Sequence, residues 1–172
     1  METDAPVERV PQAYEAVHAP LWRAVLAYSG SADVADDATA EAWAQLLRRG
    51  EGVDDPAAWA WRSAFRIAAG ELQQRRLSAS VASGDAADLD RSGGLDGRRL
   101  DVRVSMPEPA IDLIAALRHL TDQQRACVVL CDLAGHDAPS AARLLGTTGA
   151  TVRVQLMRSR RRLRELLEDS DD

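Results

Sequence analysis

Lysine is absent from the 172-residue chain, so all 21 of its basic residues are arginine. Aromatic residues are scarce at 4%, and tryptophan supplies four of the seven. No stretch of eighteen apolar residues occurs, which leaves no candidate membrane-spanning helix. The opening METDAPVERV has no apolar run behind a positive charge and does not read as a secretory signal. A cytoplasmic location is therefore expected, where two cysteines are expected to be thiols rather than a disulfide. There is no nucleophile–base pair, no phosphate-binding loop and no cluster of metal ligands, so neither an enzyme nor a cofactor is expected. The length suits one ordinary domain or two small ones and is too short for a doubly wound dehydrogenase or a barrel enzyme.

What is present is enough apolar sequence for packed cores, 46%, and a net charge of −6 that argues against non-specific binding of polyanions. The charge is not spread evenly. Between Thr151 and Arg164 stand Arg153, Arg158, Arg160, Arg161, Arg162 and Arg164, with no acid among them. A concentrated cationic stripe on an acidic chain points to local phosphate contact, and a solvated helix face is the plainer alternative.

Three amphipathic segments come first. Tyr14, Val17, Leu21, Trp22, Val25 and Leu26 recur at helical spacing over about 11–28, and Gly30 suits the left-handed exit of a helix. A second helix is expected over about 33–49, with acids in its first turns and Gly50 at its end. A third begins at Pro56, behind Asp55 as N-cap, and runs to about Arg76. From residue 78 to 108 serine, glycine and proline accumulate without sustained periodicity, which reads as a flexible linker. Helical signals then return in four short segments. Thr121 caps the second of these, Asp137 caps the third with Pro139 in its first turn, and Thr148 caps the last. No alternating run is long enough for a strand. The expected fold is all-α, with a three-helix N-terminal domain (1–77), a flexible linker (78–108) and a four-helix C-terminal domain (109–172).

The segment from Asp137 to Arg160 reads as a helix-turn-helix. Gly146 supplies the turn, and Val152, Leu156, Ser159 and Leu163 form the inward stripe of the last helix. Thr148, Ala150 and Thr151 are small enough for close approach to DNA. Arg153 and Gln155 leave the inward stripe, and arginine pairs with guanine and glutamine with adenine in the major groove. Arg158, Arg160 and Arg161 are placed for phosphates, which set register rather than sequence. An αα-hairpin with an arginine-rich surface is the alternative.

Several strings carry a resemblance. In the C-terminal half they are A-L-R-H-L-T-D-Q-Q-R-A at 116–126, L-A-G at 133–135, A-A-R-L-L-G at 141–146, T-V-R at 151–153 and L-M-R-S-R-R-R-L-R-E-L-L at 156–167. In the N-terminal half they are A-D-D-A-T-A-E-A-W at 35–43 and D-P-A-A-W-A-W-R at 55–62. Together they resemble the promoter −35-binding and −10-binding domains of bacterial RNA polymerase sigma factors, in the two-domain layout of the extracytoplasmic-function (ECF) group. The resemblance implies a non-catalytic protein that binds polymerase core, through the coiled coil of the largest subunit and the flap, and brings it to promoter DNA. It implies core contacts from Asp36, Asp37, Ala40 and Glu41. It implies −10 contacts from Asp54, Arg62, Phe65 and Arg66, and −35 contacts from the last helix. Members of the group are commonly held inactive by an anti-sigma protein, which joins the candidate partners.

The chain departs from the family pattern at several points. Ala38-Thr39-Ala40 replaces the usual Leu-Val-Gln, which removes an amide from the core-binding helix. Phe65 stands where a basic residue is common, and either an unpaired base or the core is open to it. An acid at the tip of the loop before the third helix, Asp54 or Asp55, is able to accept from a cytosine amino group, although Asp55 is also a helix cap. Val154 and Gln155 stand where a small polar residue and a basic residue are usual. Cys127 and Cys131 share a helix face, but zinc would need His119 and His136 as well, so buried thiols are expected. Two other readings stay open: a stand-alone DNA-binding regulator that does not engage core, and a protein-interaction module. A closed form, with an acidic first domain masking the last helix, is a further expectation.

Overall fold

A computed structural model describes residues 6–83 and 108–168. In the N-terminal half α1 (Pro6–Ser29), α2 (Ala32–Arg49) and α3 (Pro56–Ser83) pack against one another, with a single 3-10 turn at Gly50–Gly52. In the C-terminal half α4 (Glu108–Leu117) is followed by α5 (Asp122–Val128), a wide π-type turn (Val129–Leu133), α6 (Ala138–Leu145) and α7 (Gly149–Glu168). No strand occurs among the described residues. Most of the expected linker, 84–107, lies outside the described residues.

Local chemistry sets most of the boundaries. Ser31 caps α2 by accepting from the Val34 N–H, and Gly50 ends it at φ 65°. Asp55 accepts from the Ala58 N–H at 2.9 Å to start α3. Thr121 and Gln124 form a reciprocal capping box on α5.

Two helices outrun the sequence expectation. α1 starts at Pro6 rather than near Pro11, because Val10 packs against the core and holds the extra turn despite Pro11 inside it. α3 continues through Ser83 instead of ending near Arg76. Its last turns expose Leu77 and Val81. Serine only weakly disfavours helix, and no glycine or proline follows until Gly84.

The N-terminal core is built on Leu21, Val25, Val34, Leu46 and Leu72. Ala35, Ala38, Ala42, Ala60, Ala64 and Ala68 are all fully buried and let the helix backbones approach closely. Tyr14 does not join this core as expected. It is 43% exposed, stacked on His18 at 4.4 Å between ring centroids and edge-on to Trp43 at 5.1 Å.

The two halves share one continuous core. α1 meets α4, α5 and the π-type turn, and α3 meets α6. The closed arrangement is thus present, but α7 is not what it masks, since Arg153 and Arg158 remain exposed. Arg125 holds the junction, with none of its surface exposed. Its guanidinium donates to the carbonyls of Leu117, Leu120 and Tyr28, each at 3.0 Å. Burial pushes the Tyr28 phenol up to about 12, with the Asp122 carboxylate adding to the shift. Arg76 of α3 pairs with both carboxylate oxygens of Asp122, at 2.7 and 2.6 Å. This pair is partly exposed, so Arg76→Ala is expected to lower stability by at most about 1 kcal/mol. Denaturation in low and high salt checks this, because salt should erase the difference between wild type and variant.

His136 also sits at the junction, its ring edge-on to Trp61 at 4.6 Å and its Nε2 buried without a hydrogen-bond partner. Burial lowers its pKa, and neighbouring Asp137 only partly offsets this. Below the ordinary imidazole value of about 6.5, the unfolded chain therefore takes up a proton that the folded chain resists. Stability is expected to be complete above that value and to fall as pH drops through it toward the folded value. Thermal unfolding between pH 7.5 and 5.5 tests this, and His136→Gln should flatten the slope.

Candidate nucleic-acid interface

The helix-turn-helix is assembled by short-range bonds. Asp137 accepts from the Ser140 N–H at 2.7 Å and starts α6, with Pro139 in the first turn. Gly146 ends α6 in the left-handed region at φ 66°, where a side chain would be strained. Thr148 then caps α7, accepting from the Thr151 N–H at 3.1 Å, while the two threonine hydroxyls bond at 2.9 Å. Inside, Val152 and Ser159 are fully buried and Leu156 nearly so. The Ser159 hydroxyl donates to the Gln155 carbonyl at 2.6 Å. A side chain this small lets α7 lie close against α5.

The outward face of α7 is a single stripe of Ala150, Arg153, Val154, Met157, Arg158 and Arg161, all exposed. Arg153 and Arg158 form no ion pair among the described residues, and Arg161 is 3.7 Å from Glu165. Two expected contact residues are otherwise engaged. Gln155 lies on the flank, half-buried, its amide 3.4 Å from the side chain of Gln123, so it does not face outward with Arg153. Arg160 is bound through two nitrogens to Asp132 of the π-type turn, at 3.1 and 2.6 Å. It braces the helix rather than presenting a free cation. The sequence reading passed over Met157, although its spacing from Arg153 and Val154 places it on their face.

A second surface lies at the start of α3. Asp54 is exposed and makes no hydrogen bond among the described residues, whereas the Asp55 carboxylate is taken by the cap. Arg62 and Arg66 are exposed one turn apart. Phe65 corrects the expectation of a base-stacking residue. It is 4% exposed, with ring centroids 5.3 Å from Tyr28 and 6.1 Å from Trp61. The apolar stripe of α3 through Trp61, Ala64 and Ala68 turns it inward.

A third surface is the outer side of α2, where Asp36, Asp37 and Ala40 are exposed and Glu41 is half-buried. Asp36 accepts from the Trp22 indole N–H at 2.6 Å. Hydrogen bonds from Gln45 and Arg48 hold the Glu41 carboxyl below the usual carboxylate range. Trp43 belongs to the core, and Ala38 and Thr39 are buried, the Thr39 hydroxyl bonding back to the Ala35 carbonyl. Beside Ala40 and Trp22 an open groove of about 650 Å³ runs between α1 and α2. The cysteines are buried or half-buried, and desolvation pushes the Cys127 thiol up to about 11. No group of three His, Cys, Asp or Glu side chains that could hold a metal occurs among the described residues. No helix among them is long and apolar enough to cross a membrane.

Caps, left-handed glycine, buried stripe and arginine-lined outer face define α6–α7 as a helix-turn-helix. Residues 110–163 match the family described as Sigma-70, region 4. The chain is 40% identical over 65 residues to the ECF RNA polymerase sigma factor SigM of Mycobacterium tuberculosis, a match that covers 38% of this chain and 33% of that protein. It thus spans about a third of the length of the curated relatives it matches. Across nearly the whole chain the fold is shared with the sigma factor RpoE of Bartonella quintana, solved with the anti-sigma factor NepR. There the TM-score is 0.63 and the identity 22%, over 92% of this chain and 96% of that one. It is shared equally with CnrH, solved with the cytosolic domain of CnrY, at TM-score 0.66 and 19% identity over 95% and 89% of the two chains.

Proposed function

We propose that the chain is an alternative sigma factor of the ECF type, which binds RNA polymerase core and directs it to particular promoters. The observation that carries this reading is the acid-free outward stripe of α7, set in a block that matches the region 4 family within a fold shared over 92% of the chain with the sigma factor RpoE. On this reading α7 enters the major groove of the −35 element with Arg153 toward base edges and Arg158 toward phosphates. The α2 face around Asp36, Asp37, Ala40 and Glu41 docks on core, and Asp54, Arg62 and Arg66 approach the −10 element. The mechanism asks for no catalytic group: binding energy at two DNA elements places the polymerase active centre. An anti-sigma protein is a proposed partner, as RpoE has one in its solved complex.

A stand-alone regulator is the second reading, favoured by Ala40, whose methyl group gives α2 no polar contact where the family has an amide. Co-elution with polymerase core decides between them. Stoichiometric binding that a known sigma factor displaces supports the proposal. A folded chain that ignores core and still binds specific duplex DNA overturns it in favour of the regulator.

A further inference from the structure

The outward stripe of α7 holds two apolar side chains among its arginines. Val154 is 42% exposed and Met157 is 66% exposed. They lie three residues apart on one face, with Arg153 beside the first and Arg158 beside the second. Neither supports the fold, because the inward positions of α7 are filled by Val152, Leu156 and Ser159. No acid lies between Thr151 and Arg164, so this stretch of α7 is cationic, attracts a polyanion such as duplex DNA and repels a basic protein.

In a major groove the one apolar feature of a base edge is the thymine methyl group. We propose that Val154 and Met157 read thymine methyls on neighbouring base pairs of the target duplex, an inference that rests on the DNA-binding reading of α7. Three residues of helix advance about 4.5 Å along its axis, close to the roughly 3.4 Å between successive bases. The two side chains therefore meet consecutive steps, and the flanking guanidinium of Arg153 meets a guanine edge. The two contacts differ in strictness. Valine is locked near one rotamer in a helix and demands its methyl in one place. Methionine is flexible and tolerates a methyl displaced by a fraction of a step.

The test begins with selection of duplexes from a random library by the full chain, with bacterial polymerase core present. Each thymine of the enriched site is then replaced by deoxyuridine, which removes only the methyl. Loss of one buried methyl is expected to weaken binding about fourfold at each of two adjacent positions. Val154→Ala should abolish the penalty at one of them and Met157→Ala at the other. A site whose affinity ignores deoxyuridine everywhere, or whose penalties persist in both variants, overturns the inference while DNA reading by α7 stands. Failure to enrich any sequence removes that reading, and the inference with it.

Discussion

Replacing Arg153 and Arg158 together by alanine is expected to weaken specific DNA binding about a hundredfold. Both side chains are exposed, and neither makes an ion pair among the described residues, so nothing within those residues has to be broken for them to reach DNA. A guanidinium–base contact from Arg153 contributes about 1–3 kcal/mol and a hydrogen bond from Arg158 to a charged phosphate about 1.5–3 kcal/mol, and the low end of the two ranges together gives this factor. The two should fail differently. Arg153→Ala should relax sequence preference at one base pair. Arg158→Ala should weaken all sequences alike and reduce the salt slope by about one phosphate's share. Arg160→Ala serves as the contrast, because Arg160 is bound to Asp132, and its loss should register in the stability of α7 more than in sequence preference. Titration of labelled duplexes at several salt concentrations checks all three. Unchanged affinity of the double variant would remove α7 from the DNA interface.

The second large effect is expected in folding. Arg125→Met should destabilise the chain by about 3 kcal/mol, because the three buried hydrogen bonds that the guanidinium donates are lost at about 1 kcal/mol each, although the Leu117 carbonyl keeps the Leu120 N–H. That is a substantial part of the 5–15 kcal/mol or so that holds a typical domain together. Arg125→Lys should recover only a minor share, since one ammonium lacks the planar fork that reaches acceptors in three directions. Urea denaturation gives the free energies. A shift below about 1 kcal/mol for the methionine variant would show that water replaces the guanidinium at the junction.

The parts of this fold legible in the sequence are those governed by neighbouring residues. The caps at Asp55, Thr121, Asp137 and Thr148 and the turn at Gly146 depend on contacts a few residues apart, and each stands where the sequence placed it. The inward stripe of α7 was legible for the same reason. Long-range pairing was not. Arg125 carries a charge and reads as surface, yet its partners include a carbonyl of α1, 97 positions away. Arg160 reads as one of several equivalent cations, and only its proximity to Asp132 separates it from Arg158. Phe65 turned on the rotation of α3, which the packing of Tyr28 and Trp61 decides. Among the candidate contacts, composition singled out the arginines, while Met157 was passed over although helical spacing sets it beside Val154, because neither residue carries a charge or a polar group that marks a contact.

The π-type turn at Val129–Leu133 sets the phase of everything after it. The Ala134 N–H reaches back to the Val129 carbonyl, five residues away, so one more residue is wound into this turn than a regular helix would take. A one-residue deletion inside it would restore ordinary winding and swing the following segment by roughly 100°. His136 would leave Trp61, Asp132 would leave Arg160, and the helix-turn-helix would be re-aimed with its internal bonds intact. The direction in which α7 faces, relative to the other half of the molecule, is thus indexed by a count of residues in one loosened turn.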